Sequence, residues 1–304
     1  MNRKIQNKKR ERFVNKNSSK PVVFAGGLFS NLFRWEENNG LAKQMIQEGR
    51  DSWEIEITGG PGQDCDTCVN YKYEDLTDYY WPALISGVME YSGENKIDYV
   101  GHSNGCRSAL DSLKNWSSTG KNNSGYYFDV STGNYLLMDL PSNPVDTFVG
   151  LGCPGTFNGS SRFIIKSLEK GDLSIQIFQQ QNKLHISNHD HAKIIDPTLN
   201  VFLGSGEKIS LNLILFYNDI ATQNSDKEPG NSLSINKLYL IAGSDGIFEA
   251  GNNNGHDTIV PLNDLFGINA GINSSENELE VYPLRHDQLI ENAEVIRYVK
   301  SKLR

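Results

Sequence analysis

The sequence predicts an α/β protein: a mostly parallel central sheet with helices on both faces, plus an inserted cap. Three observations carry this expectation. Short apolar runs recur along the chain, each stopped by glycine or proline. Stripes of apolar residues at helical spacing fall between them. The alternation lapses over residues 158–232 and then resumes. Strands alternating with helices imply parallel pairing with both sheet faces covered.

The first strand is Val22-Val23-Phe24-Ala25, running into the turn Gly26-Gly27-Leu28. A helix follows with Leu41, Ala42, Met45 and Ile46 on one face, closed by Gly49. Trp53 to Ile57 alternates as a second strand and stops at Gly59-Gly60-Pro61-Gly62. Trp81, Leu84, Ile85, Val88 and Met89 form the stripe of a core-facing helix ending near Gly93. Ile97 to Val100 reads as a short buried strand, and Cys106, Ala109, Leu110 and Leu113 as the inner face of the helix after it.

Residues 117–144 are rich in Ser, Gly and Asn, with room for a hairpin between Tyr126 and Leu140. Further strands are expected at Val145 to Leu151, Lys237 to Ile241 and Leu279 to Pro283. The last helix is expected over about 287–303, with Leu289, Ala293, Ile296 and Val299 inward. The organisation is then a basic tail over 1–20, a core of 21–157 and 233–304, and a cap or lid over 158–232.

With 304 residues and 38% hydrophobic content, the chain can bury a full core. Its net charge of −8 argues against nucleic acid as the main partner. No run approaches the roughly 20 apolar residues of a membrane span, and no apolar stretch follows the charged N-terminus as in a signal peptide. Cytoplasmic residence is the default, with secretion the alternative if a leader has been removed. Four cysteines are too few for a disulfide scaffold. Cys65 and Cys68 read as a local disulfide or two free thiols, and Cys106 and Cys153 as small buried apolar side chains.

Gly101-His102-Ser103-Asn104-Gly105 fits G-x-S-x-G in its required context, between an apolar strand and an amphipathic helix. That turn presents a serine hydroxyl above the sheet. The hydroxyl needs a base to take its proton and an acid to orient the base. Of the six histidines, His286 lies between the last strand and the last helix, at the sheet edge that carries the turn. The acid should follow the preceding strand. Asp257 is preferred and Asp245 is the alternative. Two backbone N–H groups should hold the developing oxyanion, those of Asn104 and of Leu28 in the loop after the first strand.

On these residues the chain resembles bacterial triacylglycerol lipases and esterases of the α/β-hydrolase superfamily. Val22 to Phe29 is similar to their first strand and oxyanion loop, Gly101 to Gly105 to their G-H-S-x-G turn, and Asp257-Thr258-Ile259-Val260-Pro261 to their D-x-x-V-P segment. The resemblance implies a catalytic triad of Ser103, Asp257 and His286, with Leu28 and Asn104 as oxyanion donors. It departs from the family pattern at Gly26, which stands where a histidine is usual. It implies cleavage of a small-molecule or lipid carboxylic ester through an acyl-enzyme, without a cofactor. An acyltransferase or thioesterase with the same triad is the nearest alternative, and a non-catalytic binding protein on this scaffold the more distant one. The elbow serine argues against the dehalogenase and epoxide-hydrolase chemistry of the superfamily, which uses aspartate there. Interfacial lipid contact and oligomeric state stay open.

Two other clusters carry side chains that ligate metals. His185, His189, Asp190 and His191 could hold a transition metal, but a polar cap loop is preferred. Asp245, Glu249 and Asn252 to Asn254 could ligate calcium, but a solvated loop is preferred.

Overall fold

In a computed structural model, residues 20–27, 32–56, 72–118, 124–129, 132, 134–139, 143–156, 233–245 and 255–304 are described. The basic tail up to residue 19, Leu28, Cys65, Cys68, the histidine cluster, Glu249, Asn252 to Asn254 and the whole cap lie outside them.

Six strands build the sheet: β1 (Val22–Ala25), β2 (Ser52–Ile55), β3 (Ile97–His102), β6 (Val145–Leu151), β7 (Ser234–Gly243) and β8 (Asn273–Tyr282). Their order is β2-β1-β3-β6-β7-β8, and every neighbouring pair is parallel. Between β3 and β6, β4 (Ser124–Asp129) and β5 (Asn134–Asp139) pair as an antiparallel hairpin of their own.

Period-two alternation splits the strand side chains between two cores. Val23, Ala25, Tyr99, Phe148, Leu238 and Leu240 face one way. They pack on α2 (Trp81–Ser92), α3 (Asn104–Ser118) and α4 (Leu262–Gly271). Val22, Phe24, Val100, Val149, Tyr239 and Ile241 face the other way, against α1 (Leu41–Gln47) and α5 (Ala293–Lys302). The expected sheet with helices on both faces is therefore present. α2 ends where expected, at Gly93, whose φ of +74° only glycine adopts cheaply.

Several details differ from the expectation. β8 starts at Asn273 rather than near Leu279, because its polar first half runs along an edge where burial demands little. α4 carried no clear sequence signal, since the internal Gly267, the terminal Gly271 and two asparagines dilute the stripe of Leu265 and Ile268. The last helix is broken into a short turn, Asp287–Ile290, and α5. Asn292 caps α5 by accepting from the Glu294 and Val295 N–H groups, which resets the phase and leaves Ala293 exposed while Val295 takes the inward place. Ile46 is 46% exposed, off the inward face of α1. Cys106 and Cys153 are not free apolar side chains: they form a buried disulfide joining α3 to the segment after β6.

Candidate active site

The carboxyl ends of β3, β6 and β7 converge on one place. β3 gives way to α3 through Ser103, whose φ of +53° is left-handed. A non-glycine residue held there costs about 1–3 kcal/mol and persists only where its surroundings fix it. Ser103 N–H donates to the Leu151 carbonyl at 2.9 Å, and its own carbonyl accepts from Cys106 and Arg107 N–H at 3.0 Å each. Both flanking glycines are sterically required. A methyl group on Gly101 would stand 2.7 Å from the Cys106 Cα, and one on Gly105 would stand 2.5 Å from the Gly26 carbonyl oxygen. Beneath the turn, the buried Tyr99 hydroxyl donates to the Gly105 carbonyl at 2.7 Å and accepts from Trp81 Nε1 at 3.1 Å.

The loop after β1 closes over this turn. A methyl group on Gly27 would come within 2.7 Å of Ser103 Cβ and 3.3 Å of its Oγ. The expected donor Leu28 is outside the described residues. Asn104 opens α3, and the first N–H groups of a helix point out of its N-terminal end.

β7 ends at Gly243, where a methyl group would collide with Asp257 Cβ at 2.6 Å and the Leu284 carbonyl at 2.4 Å. Asp257 is thus packed directly on the strand end. It is 1% exposed. Its Oδ1 accepts from Ile259 N–H at 3.0 Å and Val260 N–H at 2.7 Å, in a turn where Thr258 takes a φ of +94°. Its Oδ2 lies 2.7 Å from His286 Nδ1. The two backbones are also tied, His286 N–H donating to the Asp257 carbonyl at 2.8 Å. This bond set fixes the imidazole so that Nδ1 is the donor and Nε2 carries the lone pair. Nε2 is buried and makes no hydrogen bond among the described residues, Ser103 included. Asp245, the alternative acid, is exposed, and its backbone N–H donates to the Leu284 carbonyl.

Three features escaped the sequence reading. Gly152, after β6, has a φ of +53°, and a methyl group there would stand 2.8 Å from His286 Nδ1 and 3.0 Å from Asp257 Oδ2. The segment that carries it is anchored by the disulfide and by Arg107. That buried guanidinium donates from Nε to Asp111 Oδ2 at 2.7 Å and from a terminal nitrogen to the Gly155 carbonyl at 2.6 Å. Gly155 N–H in turn donates to the buried Asp264 at 2.7 Å. Finally, the His102 ring packs on the His286 ring, centroids 4.6 Å apart. Its Nε2–H donates to the His286 carbonyl at 3.0 Å. Burial first, then the neighbouring His286, holds the His102 pKa well below the usual imidazole value. A cysteine shortly after each of two sheet strands was the one available hint of the disulfide. Nothing in the sequence marks the other contacts.

Among the described residues, no cluster of histidine, cysteine and carboxylate side chains could hold a metal ion. Nor is any described helix long and apolar enough to cross a membrane.

An all-parallel sheet of this order, with a left-handed serine between its central strand and the following helix, is the α/β-hydrolase fold. Solved structures of that fold match nearly the whole chain. An esterase from Exiguobacterium antarcticum shares 14% identity and a TM-score of 0.53, over 94% of this chain and 92% of its own. A thermophilic esterase from Thermogutta terrifontis shares 11% identity at a TM-score of 0.52, over 94% and 90%. An epoxide hydrolase from Bacillus megaterium, solved as a point mutant, shares 14% at a TM-score of 0.50, over 94% and 93%. No family model and no curated protein sequence matches the chain.

Proposed function

We propose that this protein is a serine hydrolase that cleaves carboxylic esters through an acyl-enzyme on Ser103. The observation that carries the reading is the left-handed Ser103 at the end of β3, with a buried His286–Asp257 pair packed on the ends of β6 and β7, whose Nε2 has no hydrogen-bond partner among the described residues. In the first step Ser103 Oγ attacks the ester carbonyl carbon and His286 Nε2 takes the hydroxyl proton. The carbonyl electrons move to oxygen, held by the N–H groups of Asn104 and Leu28. The tetrahedral intermediate collapses, the C–O bond to the alcohol breaks, and His286 returns its proton to the departing oxygen. In the second step water loses a proton to His286 and attacks the acyl carbon, releasing the acid and restoring Ser103. Asp257 orients the imidazole and stabilises its charged form.

That two structural neighbours are esterases supports the ester as substrate class. The third neighbour, an epoxide hydrolase, differs in chemistry from what a serine elbow supports. The residues 158–232 are read as a cap or lid over the acyl pocket. The Cys106–Cys153 bond favours maturation in an oxidising compartment over the cytoplasmic default. The test is hydrolysis of p-nitrophenyl esters of increasing chain length. The reading expects turnover in the parent and loss of at least a thousandfold in Ser103→Ala. A Ser103→Ala variant turning over at the parent rate overturns it. Running the same assay with an added alcohol separates hydrolysis from acyl transfer.

A further inference from the structure

His102 sits next to the nucleophile in the chain and against the base in space. It is 5% exposed. Its Nε2–H reaches 3.0 Å to the His286 carbonyl, and its ring lies tilted by 41° on the His286 ring. The His286 backbone is therefore held from both sides, its N–H by Asp257 and its C=O by His102. The peptide bond between His102 and Ser103 carries this restraint directly to the nucleophile. The other ring nitrogen, Nδ1, is buried, has no hydrogen-bond partner among the described residues and faces Gly27. An apolar side chain of similar size would fill this volume without a buried orphan acceptor, which is unfavourable. What such a side chain lacks is the Nε2–H donor.

We propose that His102 is a positioning residue for the hydrolase reaction, setting the His286 imidazole relative to Ser103 through its bond to the His286 carbonyl. The inference rests on the functional reading above. The imidazole must meet a hydroxyl within hydrogen-bond reach, and an error near 1 Å in such a contact lowers turnover about a hundredfold. His102 acts through the placement of His286, by its bond to the His286 carbonyl and its packing on the ring.

The experiment compares His102→Leu, His102→Gln and His102→Asn by steady-state kinetics on the best p-nitrophenyl ester, with thermal melts of each. The Gln amide nitrogen sits at the level of imidazole Nε2, whereas the Asn amide sits at the level of Nδ1. Expected for Leu and Asn is a kcat lowered about a hundredfold with KM within twofold; Gln recovers at least a tenth of the parent kcat. Should Leu fail to fold, the Gln and Asn pair carries the test, both being polar. A kcat within twofold of the parent in Leu or Asn overturns the proposal. So does Gln falling as far as Asn, or a loss confined to KM or to the melting temperature. A parent that neither hydrolyses an ester nor reacts with a fluorophosphonate instead sinks the hydrolase reading itself, so the two failures are distinguishable.

Discussion

Gly152→Ala isolates the contact between the β6 terminus and the His286–Asp257 pair. Two effects should add. The first is backbone strain: φ is +53°, and alanine in the left-handed region costs about 1–2 kcal/mol. In a chain of this size that lowers the melting temperature by about 1.5–3 °C. The second is steric. The new methyl would stand 2.8 Å from Nδ1 and 2.9 Å from Cε1 of His286, so the ring must retreat by roughly 0.6 Å to reach ordinary contact. A retreat of that size in a proton-transferring group should lower kcat about ten- to a hundredfold. Gly93→Ala is the control. Its φ is +74°, equally left-handed, but a methyl there meets nothing within 4 Å. It should lose similar stability and keep its kcat. The assay is ester turnover alongside a thermal melt for both variants. A Gly152→Ala enzyme with kcat within threefold of the parent would refute this reasoning. So would equal loss of activity in Gly93→Ala.

Asp257→Asn should lower kcat by about three to four orders of magnitude, while Asp245→Asn, an exposed site, should stay within twofold; reversed results in the same ester assay would move the acid role. Removing the Cys106–Cys153 bond, which closes a separation of 47 residues, frees loop entropy worth at most about 4 kcal/mol. Urea unfolding of Cys106→Ala/Cys153→Ala should show a loss of that order, and an unchanged midpoint would contradict the staple. His102 is held neutral in the fold against an ordinary value of 6.5. Below about pH 6.5 the unfolded chain binds a proton the native state refuses, so stability should fall with pH at up to about 1.4 kcal/mol per unit. Unfolding free energies between pH 7 and 5 should show this slope in the parent and a shallower one in His102→Gln; identical slopes would remove His102 from the account.

The strands that build the centre of the sheet were legible because burial on both faces makes them short apolar runs, as in Val22 to Ala25 and Phe148 to Leu151. The serine turn was legible because its two glycines answer to steric walls that recur wherever a strand enters a helix this tightly. Edge positions carry less information: half of β8 is polar, and α4 carries no clear helical stripe. The phase of the last helix depended on the Asn292 cap, which a stripe of apolar residues does not reveal. The closeness of Asp257 to His286 came from a turn closed by two backbone N–H groups, a local device invisible in spacing alone. Nor could the pairing of Cys106 with Cys153, or the seat of Gly152 behind the imidazole, be read without knowing that β3 and β6 are neighbours.

The central claim is that one hydroxyl does the chemistry. Treating the folded protein with a fluorophosphonate and mapping the adduct by peptide mass spectrometry tests it most directly. The account predicts a single modified peptide, carrying the label on Ser103, and loss of labelling and turnover together in a folded Ser103→Ala variant. Label on a different residue, or ester turnover that survives with Ser103 fully blocked, would contradict it.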